Sequence, residues 1–155
     1  FHDPNLNCPA DVDSILKSAK WRNSLDFDTG SYLYNYWFAR EHILKTGVAI
    51  LVEGAGDVWR LEQNNIHIGV ALFGVELSEQ QRCIIDKSGA LSLICLLDND
   101  DAGRAAAKVL YTKLSRSYRL YFPKITSSDV GELHTDAVTK DIQPYIERAL
   151  AFGVK

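Results

Sequence analysis

Residues 48–54 read Val48-Ala49-Ile50-Leu51-Val52-Glu53-Gly54, an apolar run that ends in a carboxylate and a glycine. Residues 91–100 repeat this arrangement, because the apolar run Leu91-Ser92-Leu93-Ile94-Cys95-Leu96-Leu97 is followed by Asp98-Asn99-Asp100. Short, branched runs that are almost free of charge are typical of strands buried on both faces. The carboxyl ends of parallel strands meet at one edge of a sheet, where ligands bind. We therefore expect Glu53, Asp98 and Asp100 to lie close together.

The chain alternates between strand and helix patterns from residue 48 onward. Ser78 with Gln81 three residues later is the capping pattern of a helix start. Such alternation predicts an α/β fold, with a parallel sheet flanked by helices. Two segments are expected: residues 1–47, irregular with short helical stretches, and residues 48–155, the α/β domain with a C-terminal helix. The remaining predicted elements are strands at 68–73 and 118–122 and helices at about 57–65, 78–87, 101–115 and 139–152.

Composition places the chain among globular proteins. Its 155 residues are 46% hydrophobic and 24% charged, which is ordinary for one domain with its own core. No apolar run approaches the ~20 residues needed to span a membrane. The three cysteines form no CxxC pair and Cys95 lies in a predicted buried strand, which favours a reducing cytoplasm over a disulfide framework or structural zinc. Because the chain opens with Phe1 and contains no Met, we expect it to be a piece of a longer protein.

The net charge of −3 limits the possible partners. Proteins that bind nucleic acid unaided are usually basic, so we do not expect this chain to hold DNA or RNA by itself. Carboxylates gathered at one edge repel each other unless a cation lies among them. Carboxylate oxygens with no nearby His or Cys suit Mg²⁺ rather than zinc. The sequence therefore predicts a Mg²⁺ site for phosphate chemistry.

Two motifs then point to a family. Glu53-Gly54-Ala55-Gly56-Asp57 and Asp98-Asn99-Asp100-Asp101-Ala102-Gly103-Arg104 resemble the signature motifs of the Toprim fold, which primases, topoisomerases and some nucleases share. The Ala-Gly-Arg ending is the bacterial-type primase version. Upstream, Lys20-Trp21-Arg22-Asn23-Ser24 resembles the primase motif Lys-aromatic-x-Asn-Ser, and downstream residues 128–133 resemble a phage and plasmid primase–helicase segment. Over roughly residues 20–150 the chain thus resembles the Rossmann-like Toprim domain and adjoining core of a DnaG-like DNA primase of bacterial or phage type. The resemblance implies that residues 1–47 are the N-terminal segment of the primase polymerase core and that residues 48–155 are the Toprim domain with its C-terminal helix.

The resemblance implies Mg²⁺-dependent, or Mn²⁺-dependent, synthesis of RNA primers during DNA replication. The implied partners are a single-stranded DNA template, ribonucleoside triphosphates and a replicative helicase, in the cytoplasm of a bacterial or phage-infected cell. Glu53, Asp98 and Asp100 would be catalytic, with Glu53 a metal ligand or the base for the 3′-hydroxyl. The implied metal ligands are Glu53, Asp98, Asp100 and Asp129. The implied nucleotide or strand contacts are Lys20, Asn23, Ser24, Asp57 and Arg104.

Two departures from the primase pattern suggest a divergent, phage-encoded member. Thr29 stands where primases usually have Lys, and Gly131 stands at the second acidic position of the family's Asp-Pro-Asp segment, leaving Asp129 either alone or with Glu132. Two alternatives stay open within the fold: a Toprim nuclease, in which the same carboxylates activate water, and a non-catalytic Toprim module for helicase or template contact. A receiver-like or flavodoxin-like domain is a weaker alternative, kept open by Lys124 after the last predicted strand.

Overall fold

A computed structural model describes residues 26–153 and contains one four-stranded sheet within that range. All neighbouring strands pair in parallel, in the order β2-β1-β3-β4. This confirms the predicted parallel sheet, although three of the strands are shorter than expected. The strands are β1 (Val48–Val52), β2 (Gly69–Ala71), β3 (Ser92–Leu96) and β4 (Arg119–Tyr121).

Six α-helices accompany the sheet in residues 26–153. The predicted start of α3 is confirmed, because the Ser78 hydroxyl accepts a hydrogen bond from the Gln81 N–H at 3.0 Å and the Gln81 side chain accepts one from the Ser78 N–H at 3.0 Å. A 3₁₀ turn over Thr29–Ser31 precedes the helices. The helices are α1 (Tyr36–Thr46), α2 (Ala55–Gln63), α3 (Glu79–Asp86), α4 (Asp101–Leu114), α5 (Thr135–Asp141) and α6 (Gln143–Gly153).

The prediction of one final helix over residues 139–152 was wrong, because α5 and α6 are separate helices that meet at Ile142. Pro144 lies in the first turn of α6, where its missing N–H is tolerated. In a continuous helix, the same ring would clash with the carbonyl four residues earlier. Asp141 fixes the end of α5, since its carboxylate accepts hydrogen bonds from the N–H and hydroxyl of Thr126, both at 2.8 Å.

The core surrounds the two central strands. Every residue of β1 and β3 is buried, although successive side chains of a strand point to opposite faces. Both faces of the sheet are therefore covered, as the apolar runs predicted. Helix α6 contacts both central strands, and α1 contacts β1 and β2.

The strand order positions the site. The chain leaves β1 for β2 on one side and later returns to form β3 on the other side of β1. Parallel sheets bind ligands in the crevice at such a switch point, outside the carboxyl ends of the strands. Glu53 follows β1 and Asp98 lies just beyond β3, so both belong to this crevice.

The segment before β1 is joined to the sheet by backbone hydrogen bonds. Tyr34 and Ala71 form an antiparallel bridge, with N···O distances of 3.0 and 3.2 Å. The Gln81 side-chain amide donates to the carbonyls of Tyr32 and Leu72, at 2.9 and 2.8 Å. Residues 26–47 thus pack on the α/β unit. Their assignment to a separate primase segment stays a prediction. No helix in the described range 26–153 is both long and apolar enough to span a membrane.

Candidate active site

Glu53 joins the ends of the two central strands. Its Oε1 accepts a hydrogen bond from the backbone N–H of Asp98 at 2.9 Å, while its own carbonyl accepts one from the N–H of Gly74 at 3.1 Å. Burial raises the pKa of the Glu53 carboxyl, the Asp98 N–H opposes that rise, and the negative charges of Asp100, Asp57 and Asp129 add to it. Glu53 therefore lies in a crowded acidic site, as the sequence predicted.

Asp98 has a carboxyl whose pKa is strongly raised. Burial raises its pKa from the ordinary value of 3.8 to about 7, and the charges of Glu53, Asp57, Asp129 and Asp100 contribute to the rise. Each of these carboxylates is close enough to disfavour a charge on Asp98. The structure therefore brings together the predicted metal ligands in one region of negative potential.

Asp100 lies at the start of α4. Its Oδ1 accepts a hydrogen bond from the Gly103 N–H at 2.7 Å, which makes Asp100 the N-cap of the helix. Gly103 in turn allows α4 to approach the end of β3, because a Cβ there would lie 2.1 Å from the Asp98 carbonyl oxygen. Arg104 is exposed and forms an ion pair with Asp101 at 2.6 Å. Its predicted contact with nucleotide or strand stays a prediction.

Asp57 is a buried carboxylate, 8% exposed, that links two loops of the site. Its Oδ2 accepts a hydrogen bond from the Gly54 N–H and its Oδ1 accepts one from the Gly131 N–H, both at 2.9 Å. Since backbone donors engage both oxygens, the geometry favours a role in orienting the Glu53 turn. The predicted contact of Asp57 with nucleotide or strand is not tested and stays a prediction.

The loop after β4 brings Asp129 toward the other carboxylates. The Ser128 carbonyl accepts a hydrogen bond from the Asn99 N–H at 2.8 Å, which ties this loop to the Asp98–Asp100 turn. Oδ1 of Asp129 accepts one from the Glu132 N–H at 2.9 Å. The ends of β1 and β3, the start of α2 and the loop after β4 are thus joined by one set of hydrogen bonds.

Sequence reasoning missed Arg60, whose guanidinium donates to the Gly131 carbonyl from Nε at 3.1 Å and from Nη2 at 3.0 Å. The signal was its position three residues after Asp57, on the same face of α2. That signal alone does not identify a partner 71 residues away in sequence. The predicted contact residues Lys20, Asn23 and Ser24 lie outside the residues that the structure describes.

The donor chemistry of the site fits a hard divalent cation. Glu53, Asp98, Asp100 and Asp129 offer only carboxylate oxygens, which Mg²⁺ and Mn²⁺ prefer. Across the described part of the chain, no three His, Cys, Asp or Glu side chains are arranged as a ready metal site. Three of the four acids have an oxygen engaged by a backbone N–H. A cation bound among the four acids would relieve their mutual repulsion.

A shallow cleft of about 240 Å³ opens beside Asp98. Arg104 and Lys124 line it together with Asp98 and Asn99, and apolar side chains such as Phe122 complete the wall. The cleft thus combines cationic and apolar walls beside the carboxylate cluster.

Comparison with known proteins agrees with the motifs. A family model described as Toprim-like matches residues 50–134. The DNA primase of Aquifex aeolicus is 36% identical over 115 residues, which is 70% of this chain and 23% of that protein. The DNA primase of Helicobacter pylori is 35% identical over 144 residues, or 88% of this chain and 25% of that protein. The chain thus spans only about a quarter of these relatives' length.

Solved structures share the fold. The crystal structure of the Aquifex aeolicus primase, comprising zinc binding and RNA polymerase domains, matches with a TM-score of 0.60 and 29% identity, over 84% of this chain and 32% of that one. A DnaG primase catalytic domain bound to ssDNA also matches at 0.60, with 26% identity, over 81% of this chain and 40% of that one. The predicted Toprim fold is confirmed.

Proposed function

Since this chain belongs to the Toprim-like family, we propose that it is the catalytic Toprim portion of a DNA primase. Such an enzyme synthesises RNA primers on single-stranded DNA. The 3′-hydroxyl of one nucleotide attacks the α-phosphate of a ribonucleoside triphosphate, a new phosphodiester bond forms and pyrophosphate leaves. The observation that carries the proposal is the Glu53–Asp98 hydrogen bond at the sheet's switch point, in a chain whose relatives are DNA primases.

Glu53, Asp98, Asp100 and Asp129 would hold Mg²⁺ or Mn²⁺. When bound, the cation would supply charge for orienting the triphosphate and stabilising departing pyrophosphate. Asp98 and Asp100 have different roles at this site. Asp98 contributes a carboxylate that its neighbours destabilise, so that cation binding is favoured. The cap that Asp100 provides for α4 holds the helix start at the site.

Glu53 is suited to accept the proton of the attacking hydroxyl. A general base works best when its pKa lies near the working pH, and burial moves the Glu53 pKa upward in that direction. The Asp98 N–H fixes the orientation of its carboxylate through Oε1. We therefore assign Glu53 either metal binding or proton acceptance, the two roles that its motif implies.

Positive charge for the nucleotide would come from neighbouring segments. Arg104 and Lys124 line the cleft, and we propose that they contact phosphate. Lys20, Asn23 and Ser24 are proposed to contact nucleotide or strand. A single-stranded template is supported by the related catalytic domain solved with ssDNA. We further propose ribonucleoside triphosphates as substrates and a replicative helicase as partner, in the cytoplasm of a bacterial or phage-infected cell.

Primer synthesis on single-stranded DNA tests the proposal in the intact primase. Asp98→Ala and Asp100→Ala are expected to abolish synthesis, and Glu53→Gln to reduce it severely, because Gln keeps the shape but loses charge and basicity. Lys20→Ala should mainly raise the apparent KM. Asp136→Asn, an exposed carboxylate on α5, is the matched control and should retain activity.

Gel electrophoresis of a labelled template from the same reactions separates the primase from the nuclease and from the non-catalytic module. Template cleavage without ribonucleotide incorporation, lost in Asp98→Ala, would establish the nuclease. If neither RNA primer nor cleaved template forms, and the template binds tightly at physiological salt, the non-catalytic module is favoured.

A further inference from the structure

Two side chains of helix α2 form hydrogen bonds with the backbone N–H and carbonyl of Gly131. Asp57 accepts the Gly131 N–H at 2.9 Å, and Arg60 donates to the Gly131 carbonyl through two nitrogens, at 3.0 and 3.1 Å. Residues three apart on a helix share a face, so the two side chains act on one peptide segment together. A planar guanidinium that donates two hydrogen bonds to one oxygen fixes direction as well as distance.

Glycine at position 131 lies in close contact with its neighbours. A Cβ there would lie 3.2 Å from Asp129 Oδ1, which is a tight contact, and 3.4 Å from Asp57 Oδ1, which is an ordinary van der Waals distance. A larger side chain at position 131 would therefore require the Asp129 carboxylate to move by a few tenths of an ångström. Where the family pattern has a second acid, this chain has a glycine seated against a helix. Asp129 is the acid of this segment whose charge acts on Glu53 and Asp98, and its placement depends on the loop.

The loop has a second anchor at the Asp98–Asp100 turn beyond β3, where the Ser128 carbonyl accepts the Asn99 N–H at 2.8 Å. Asp129 lies between the two anchors in sequence. The negative charge of Asp129 acts on both Glu53 and Asp98, so its position matters to the acidic site. Arg60 differs from the other anchoring groups because it is a side chain outside the carboxylate set. It can be replaced without removing a candidate ligand.

We propose that Arg60 is a positioning residue that sets the affinity of the acidic site for a divalent cation by holding Gly131 and thereby Asp129 in place. The proposal rests on the proposed function, since it assumes that the carboxylates bind the metal. Partners that orient a metal ligand typically change affinity by 10–100-fold when removed. Because Arg60 acts through one loop and one ligand, we expect about a tenfold loss, at the low end of that range.

The test is Mn²⁺ titration of the 155-residue protein by calorimetry, with Mn²⁺ alone as the probe. Arg60→Met keeps the aliphatic stem and removes both donors to Gly131, and should weaken Mn²⁺ binding about tenfold. Gln63→Ala is the matched control, because it removes the other hydrogen bond of the guanidinium, 2.9 Å from Nη1, and leaves Gly131 held. That variant should bind Mn²⁺ like the original chain.

A double-mutant cycle separates positioning from general stability. If Arg60 acts through Asp129, Arg60→Met should have no further effect on Mn²⁺ affinity in an Asp129→Asn background. An equal loss in both backgrounds would overturn the proposal, as would unchanged affinity in Arg60→Met. Should Arg60→Met fail to fold, Arg60→Lys replaces it, with a smaller loss expected because one donor remains.

Asp98→Asn distinguishes a failure of the metal site from a failure of the role of Arg60. If it abolishes Mn²⁺ binding while Arg60→Met leaves binding intact, the metal site stands and the role of Arg60 is wrong. If Mn²⁺ binds equally well to Asp98→Asn, the metal site of the proposed function is wrong, and the proposal for Arg60 is wrong with it.

Discussion

Replacing Asp98 with Asn should stabilise the metal-free protein at pH 8. The Asp98 carboxyl has its pKa raised from 3.8 to about 7, so the folded state holds this proton to a higher pH than the unfolded chain. Its contribution to stability is therefore complete below about pH 4 and is lost as the pH rises through 7. At pH 8 the folded protein carries an unfavourable charge that Asn removes.

The expected gain in the free energy of unfolding follows from how far the pKa of Asp98 is raised. About three pKa units at ~1.4 kcal/mol each give an upper limit of about 4 kcal/mol. Because Asp98 is only half buried, solvent screening reduces this to about 1–2 kcal/mol. For a chain of this length, such a gain raises Tm by about 2–8 °C. At pH 5 Asp98 is already protonated in the folded state, so we expect less than half of the gain to remain.

Thermal unfolding followed by circular dichroism in EDTA, at pH 5 and pH 8, measures both quantities. Glu147→Gln, at an exposed position in the middle of α6, controls for the loss of one exposed carboxylate and should change Tm little at either pH. An Asp98→Asn protein with unchanged or lower Tm at pH 8 would refute the reasoning. A gain of equal size at both pH values would also contradict it, because the effect would not come from ionisation.

Three further predictions use simple binding and unfolding assays. Mg²⁺ at ten times its Kd should stabilise the protein by about 1.4 kcal/mol, and scanning calorimetry should show this gain lost when Asp98 and Asp100 are both changed to Asn. Single-stranded DNA should bind the isolated chain weakly and with strong salt dependence, given its net charge of −3; fluorescence anisotropy showing tight binding at physiological salt would contradict this. Gly103→Ala should cost about 1–3 kcal/mol in urea unfolding, since its Cβ would lie 2.1 Å from a backbone oxygen, whereas Gly56→Ala, with open space around its Cβ, should be neutral.

The parts of the fold that sequence reasoning predicted are those set by local pattern. Strands β1 and β3 are runs of apolar residues buried on both faces, and the start of α3 is a capping box within four residues. The break between α5 and α6 was missed because it depends on tertiary contact as well as on Pro144. The carboxylate of Asp141 bonds to Thr126, which a helical pattern does not reveal.

The same division holds for the site. The proximity of Glu53 and Asp98 could be predicted from the sequence because parallel strands end at a common edge of the sheet. Because β1 and β3 are adjacent in the sheet, the Asp98 N–H can reach the Glu53 carboxylate, and the two form a hydrogen bond at 2.9 Å. The grip of Arg60 on Gly131 could not be predicted, because it depends on where a loop far along the chain folds back onto α2. The sequence pattern predicts which residues lie at the edge of the sheet, but it does not predict which loop packs against that edge.

Mass spectrometry of reaction products tests the central claim most directly. The intact primase would be incubated with unlabelled single-stranded template, ribonucleoside triphosphates and Mg²⁺, with Asp98→Ala run beside it. We predict oligoribonucleotides with a 5′-triphosphate, together with pyrophosphate, and neither product from Asp98→Ala. Template fragments without pyrophosphate, lost in the same variant, would contradict the account and assign these carboxylates to strand cleavage.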